Sequence, residues 1–554
     1  MNRTAKRAAA GALAIAMAQL TTSAYAGSEP FFTPLTQSSA VASPNHVNEL
    51  NSPWQVPAGI TSTNLVNMAA VEADVNQSIQ RVPAGNVSTM FDMLAYDPTG
   101  RYIFIPHETP VGAGVTRYDA EAGVSHLLFA GNQTGDRSMP NGETWQYDFG
   151  AFDPARFTPN GTVILAEEWS GQGRVIEVME PMAEPPTDPT AGGASLEEGT
   201  DWRVLTSIPR VSHEGIVWSV KYPEKVIYFI DENNSGSIYK MVLANDNDYV
   251  GGGQTFVLVV DGYAGDPTQN WDQEGVDGDT RYGPATWVPI TGPAGEPIAG
   301  ITNPYDNSET DSDRPGRVSA DAVNGTPYGR PEDATVSALR NGNEVVYITT
   351  TSEAAVISIE ILGGDKAMVR QFAKEGVTPK NVGFDPTTGT LASPDNLAID
   401  ALGNVYIIED KPNGDDVGGD IWFARDVNND GVAESLDHFM SLQVDGAEST
   451  GMIFNPSVPY KFVIAVQHPD SVDIDRDRDE DGMLDFECAG ETPHTCQGDA
   501  VWEFDLTNVV PPVCQKGPVS FSRGYRVETC VEDADLNFIN VLSRSGKQSS
   551  KFQP

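Results

Sequence analysis

The hydrophobic pattern is a series of short, nearly unbroken apolar runs, each entered from a turn and left at a polar group. RYIFIPHE ends at Glu108, GTVILAEE at Glu168, KVIYFIDE at Glu232, EVVYITTTSE at Glu353, NVYIIED at Asp410 and KFVIAVQH at His468. Runs of this length, bounded by turn residues, predict buried β-strands. Each follows another strand-like segment, namely FDMLAYDPTG, YDFGAFDPARF, HEGIVWSVKYP, RPEDATVSALRNG, PDNLAIDALG or TGMIFNPSV. Turns such as Pro98-Thr99-Gly100 and Leu402-Gly403-Asn404 join the two partners, which predicts antiparallel hairpins. Most units then supply a third strand, as in GRVIEVME, GSIYKMVL, AAVISIEIL, DIWFARD and AVWEFDL.

The run endings recur at a regular spacing, broken by one double-length gap between Glu232 and Glu353. A repeat of roughly 40 to 50 residues with three or four antiparallel strands marks a propeller blade. The predicted class is therefore all-β, a six-bladed β-propeller over residues 86–510. The interval from Leu243 to Tyr328 is left for a large insertion or a seventh blade. Residues 27–85 read as an N-terminal extension and 511–554 as a C-terminal tail. With 53 glycines and 39 prolines, the composition agrees with a fold rich in turns.

In an antiparallel hairpin the start of the first strand and the end of the second share one sheet edge. Repeated around a propeller, this gathers two sets of residues at one mouth of the channel. The first-strand starts supply Asp92, Asp148, His213 with Glu214, Arg330 with Glu332 and Asp333, Asp395 with Asn396, and Glu448. The second-strand ends supply His107 with Glu108, Glu167 with Glu168, Asp231 with Glu232, Glu353, Glu409 with Asp410, and His468. Carboxylates packed so closely raise one another's pKa, and bound cations relieve the conflict. The donors are mostly oxygens, which suits hard ions such as calcium. Arg330 is the one cation among these first-strand acids, suited to gripping a phosphate or carboxylate. His213 and His468 are candidates for donating a proton to a leaving oxygen.

Charge and targeting sharpen this picture. Arg3, Lys6 and Arg7 precede the apolar stretch from Ala8 to Ala18 and the small-x-small site Ala24-Tyr25-Ala26, the form of an export signal ending at residue 26. Removing its three cations takes the formal charge from −44 to −47. So acidic a chain is expected to be periplasmic or extracellular, to avoid nucleic acid and to welcome divalent cations. No later stretch reaches the roughly 20 apolar residues of a membrane span.

Two segments outside the channel read as structural calcium loops. Asp426, Asn428, Asp430, Glu434 and Asp437 supply donors at positions 1, 3, 5, 9 and 12, with glycine at 6. Asp477, Asp479, Asp481 and Asp485 belong to a second aspartate ladder that also includes Asp473 and Asp475. The four cysteines, Cys488, Cys496, Cys514 and Cys530, predict two disulfides in an exported chain, with three connectivities open.

The segments TPNGTVILAEEW, HEGI with YFIDENNSGSIYKM, TWVPI, GRPEDA, SPDNLAIDALGNVYI and STGMIFNP with AVQHPD resemble, in that order, the PhoX family of exported alkaline phosphatases. The resemblance implies a six-bladed propeller that acts on phosphate monoesters, with calcium ions and an iron pair at its central mouth. It places the family's acidic motifs on Glu167 and Glu168, Glu214, Glu332, and Asp395 with Asn396, as metal ligands. It also makes Arg330 the phosphate-binding residue. The chain departs from the pattern at Ala166, where the family carries a cysteine ligand to iron, so the resemblance supports calcium more firmly than iron(III). A calcium-dependent lactonase or esterase and a non-catalytic calcium-binding propeller at the cell surface remain alternative readings. The substrate expected of the phosphatase is a small phosphorylated molecule.

Overall fold

The computed structural model describes residues 30–39, 53–75, 90–135, 145–169, 173–306, 315–410, 419–444, 447–467 and 499–509, with the backbone of 525–530 and 538–543. The predicted export signal, His468 and the second aspartate ladder with Asp477, Asp479, Asp481 and Asp485 lie outside these residues. So do Cys488, Cys496, Cys514 and the side chain of Cys530.

Among the described residues, most strands fall into six four-stranded antiparallel units, with Gly283–Pro289 joining two of them into one nine-stranded sheet, Trp54–Gln55 adding a fifth strand to another, and Tyr525–Cys530 pairing apart with Phe538–Ser543. Blade 1 comprises Ala95–Tyr96, Tyr102–Pro106, Gly114–Asp119 and Val124–Ala130. Blade 2 comprises Phe152–Phe157, Val163–Glu167, Val175–Val178 and Trp202–Val204. Blade 3 runs through Ile216–Trp218, Val226–Ile230, Ile238–Leu243 and Gly253–Val260, and blade 4 through Pro331–Ala338, Glu344–Thr350, Ala355–Gly363 and Lys366–Lys374. Blade 5 contains Pro394–Ile399, Val405–Glu409, Asp420–Arg425 and Ser435–Leu442, and blade 6 contains Glu448–Phe454, Lys461–Gln467 and Ala500–Asp505.

The first strands pack in a closed ring, each touching the first strand of the next blade and blade 6 returning to blade 1. Six apolar clusters fill the six interfaces between blades. The continuous apolar runs follow from this arrangement, because each sheet is covered on both faces. In Val163–Glu167, for instance, Val163 and Leu165 join the cluster toward blade 1, whereas Ile164 and Ala166 join the cluster toward blade 3.

The described parts of residues 27–85, read from sequence as an extension, contribute to the propeller. Thr61–Asn67 pairs with Ala500–Asp505 as the fourth strand of blade 6, and Trp54–Gln55 adds an outer strand to blade 5. Closing the ring with an N-terminal strand covers an open sheet edge and ties distant parts of the chain together. The double-length interval is an insertion. Its first part supplies the fourth strand of blade 3, and Gly283–Pro289 then bridges that strand to Lys366–Lys374 of blade 4. The short helix Pro315–Asp321 follows.

Candidate metal centre

The first strands of blades 2, 4, 5 and 6 carry a register irregularity near their start, between Phe152 and Ala155, Pro331 and Ala334, Pro394 and Asn396, and Thr450 and Ile453. Bulges of this kind re-aim side chains, and here they coincide with the acidic positions. Phe91, Phe152, Pro331 and Pro394 pair with the ends of the neighbouring strands at His107, Glu167, Thr350 and Glu409. The residue after each of these four is acidic, namely Asp92, Asp153, Glu332 and Asp395. In blade 3 the same place falls to Glu214, and blade 6 contributes Glu448.

These six acids form one mouth of the channel together with Glu108, Glu168, Glu232 and Asp410 from the second-strand ends. Ligand oxygens of Glu214, Glu332 and Asp395 all lie within 4.8 Å of one another. Thr450 donates to Asp92 at 2.5 Å, and the Gln467 amide donates to both Asp92 and Glu108 at 2.9 Å. Burial, reinforced by the charges of Asp92, Glu168 and Glu108, pushes the Asp153 carboxyl well above its usual range. Burial and neighbouring carboxylates do the same to Glu168, Glu214, Asp395 and Glu448. Glu108 is pushed up to about 8 and Glu332 to about 7, burial being the largest cause in both.

Arg330 stands at the rim with 37% of its side chain exposed. Its Nε pairs with Glu232 and lies 3.2 Å from Glu332, and its Nη atoms carry no hydrogen bond among the described residues. Burial opposes its charge, but Glu332 and Glu232 more than offset this and raise its pKa.

Several expected site residues take other places. Glu167 faces away from the mouth and is gripped by Arg174, with Oε1 also accepting from the Gly150 amide at 3.1 Å. Asp231 is held by two bonds from Arg317, at 2.6 and 2.7 Å, and accepts from the Ser212 amide. The side-chain Oδ1 of Asn396 accepts from the Gly451 amide and lies against the Thr450 hydroxyl, both at 2.5 Å. His213 is fully buried against Phe229, its Nε2 2.9 Å from the Pro209 carbonyl, and burial lowers its pKa to about 4. It is therefore a neutral packing residue at neutral pH, away from the proton-donor role expected of it. Asp148 caps the amides of Gly112, Gly135 and Phe149. The mouth position of blade 2 belongs instead to Asp153, which the sequence reading missed. The signal is a recurring dipeptide at the first-strand starts, Phe91-Asp92, Phe152-Asp153, His213-Glu214, Pro331-Glu332 and Pro394-Asp395.

In the expected calcium loop, Asp426 accepts from the amides of Asp430 and Gly431, and Glu434 accepts from the Val427 amide and Asn428. Asp437 does not join them, because Arg425 binds it through two bonds at 2.9 Å. At the far end of the channel a cavity of about 720 Å3 is lined by the other ends of the first strands, including Tyr96, Trp218, Val336 and Phe454. Its walls are largely apolar, and the charged groups that line it are mostly committed elsewhere: Arg156 pairs with Asp333 at 2.7 Å, and Asp97 and Asp400 accept hydrogen bonds within their own turns, so the acidic mouth is the candidate centre.

A family profile described as alkaline phosphatase PhoX matches residues 364–470, which include Asp395, Asn396, Asp410 and Glu448. The similarity is to PhoX. The Pseudomonas fluorescens PhoX structure in complex with vanadate, a transition state analogue, aligns with a TM-score of 0.53 and 15% identity over 86% of this chain and 98% of that one. At that identity the alignment shows the shared propeller fold. Gluconolactonase structures from Xanthomonas campestris (TM-score 0.35, 9% identity, 87% of this chain and 98% of that one) and Pseudomonas aeruginosa (0.29, 13%, 68% and 81%) are more remote. No curated protein matches the sequence.

Ala166 is the position at which the chain departs from the PhoX pattern. Its side chain is fully buried in the apolar cluster between blades 2 and 3, with Ile164, Val175 and Val211. The described donors at the mouth are oxygens, a set that fits calcium and supplies no thiolate. Among the described residues, no helix is long and apolar enough to cross a membrane.

Proposed function

We propose that this protein is an exported, metal-dependent phosphoester hydrolase of the PhoX type, acting on small phosphate monoesters with calcium as its principal ion. The observation that carries the reading is a buried ring of carboxylates with one partly exposed arginine at its rim. The profile match over residues 364–470 and the PhoX-like fold support a phosphatase-type hydrolase. Glu214, Glu332 and Asp395 would hold one ion, with Asp153 and Glu168 beside them. Bound calcium supplies positive charge that steadies a transferring phosphoryl group.

The chain's own residues account for the rest. Glu232 and Glu332 hold Arg330 through Nε, so that its Nη groups can grip two phosphate oxygens. Water attacks phosphorus as the bond to the leaving oxygen breaks; one proton of the water ends on that oxygen to give the alcohol, and the other leaves with inorganic phosphate as hydrogen phosphate. The net negative charge disfavours polyanionic substrates such as nucleic acid.

The test is hydrolysis of a chromogenic phosphate monoester by protein stripped of metal and then given calcium, iron or both. Calcium should restore turnover, and Arg330→Ala should reduce kcat/KM by about 100-fold or more, as loss of a preorganised charge donor does. Folded protein that binds calcium yet hydrolyses nothing under any metal would leave the non-catalytic calcium-binding propeller as the answer.

A further inference from the structure

Arg330 sits in the left-handed region at φ 49°, as do Met90, Ala151 and Ser393 at the equivalent step of blades 1, 2 and 5. The conformation therefore belongs to the blade rather than to arginine. In all four, the carbonyl of this residue accepts from the amide beyond the second strand, at Glu108, Glu168, Thr351 and Asp410. What differs is the anchor one residue earlier. In blade 2 the Gly150 amide donates to Glu167, and in blade 5 the Ala392 amide donates to Glu409 at 2.8 Å. Both acceptors are the last residues of their second strands.

Blade 4 ends its second strand in Thr350, which has no carboxylate to offer. Glu353, on the short turn that follows, takes over and accepts from the Gly329 amide at 2.8 Å. Its side chain is 1% exposed and is neutralised by Arg281 at 2.5 Å, a residue of the insertion between blades 3 and 4. The insertion also supplies Trp271, whose ring covers Gly329 so closely that a Cβ there would stand 2.5 Å from Cδ1. The Trp271 amide donates to Asn234, while the Arg330 amide donates to Asn233. The Arg281 guanidinium lies 5.6 Å from the Trp271 ring and 5.8 Å from that of Tyr328, whose hydroxyl donates to the Arg281 carbonyl.

We infer that Arg281 and Trp271 are positioning residues, through which the insertion fixes the backbone of Arg330 and so aims its guanidinium at the phosphate. This rests on the proposed phosphatase reading for its kinetic consequence but not for its structural one. The experiment uses the full calcium-loaded chain and measures two things on each variant. These are hydrogen exchange of peptides spanning residues 327–334, and KM and kcat for the chromogenic monoester.

Arg281→Ala and Trp271→Ala should accelerate exchange there by about tenfold or more and lower kcat/KM by about 10- to 100-fold, mainly through KM, because displacing a binding group by an ångström is that costly. Arg281→Lys should recover part of both, and Lys225→Ala on an exposed part of blade 3 should change neither. Should Arg281→Ala fail to fold, Trp271→Ala and Arg281→Lys carry the comparison. Unchanged exchange at 327–334 would overturn the inference, as would faster exchange with wild-type KM and kcat. A wild-type protein without turnover, whose variants still exchange faster, would refute the phosphatase reading and leave the structural coupling standing.

Discussion

Glu167 and Glu168 are neighbours in sequence with opposite fates, and the same is true of Asp231 and Glu232. The first of each pair is neutralised by the protein, through Arg174 or Arg317, and holds a backbone amide of the adjoining turn. The second faces a mouth crowded with other acids, where Glu168 is pushed well above its usual range and Glu232 shares Arg330 with Glu332. The scaffold acids thus arrive with their counter-charges, whereas the mouth acids lack enough of them. This contrast supports the proposal that the mouth acids serve as cation ligands while the first set braces the scaffold.

The sharpest way to break this comparison is to remove the cations. Glu108 and Glu332 hold protons in the folded metal-free state up to about 8 and about 7, against 4.5 for an ordinary glutamate. The folded state then binds more protons than the unfolded one across that window, so stability falls as pH rises from about 4.5 to 8. Chelated protein should therefore melt at a clearly lower temperature at pH 8 than at pH 5, while calcium-loaded protein should change little. Equal melting of the chelated form at both pH values would show that the mouth acids are already compensated.

The next effect separates the two sets by substitution. Asp231→Ala leaves Arg317 buried without its partner and should cost about 3–5 kcal/mol in denaturant unfolding, with or without calcium. Glu214→Gln removes one charge from the repelling group. It should hold or raise the stability of metal-free protein while calcium affinity, read by calorimetry, drops. Were the two substitutions to behave alike, the division between scaffold and mouth acids would be wrong. The smallest expected effect is that of Ala166→Cys. A sulfur added among Ile164, Val175 and Val211 should shift stability by no more than about 1–3 kcal/mol and should leave metal content unchanged. Stoichiometric iron in that variant, measured by elemental analysis, would mean that the side chain reaches the mouth after all.

The amino-acid sequence by itself determined the blade repeat, because strands covered on both faces must be apolar throughout and must turn at regular intervals. It also determined that acids recur at one phase of that repeat, and Arg330, Glu214, Glu332, Asp395 and Glu448 were all legible in this way. It could not decide which acid of a pair faces the mouth, since a bulge of one residue reverses the side a strand residue faces, and bulges leave no reliable mark in composition. Hence the pattern points to Asp148 rather than Asp153, and it groups Glu167 and Asp231 with the ligands although Arg174, seven residues on, claims the first and Arg317, 86 residues on, claims the second. Only the tertiary structure brings Arg317 to Asp231 and Arg281 to Glu353, and only ring closure makes residues 61–67 a strand of the last blade. These pairings join segments far apart in the chain, and a local pattern carries no record of a partner it does not touch.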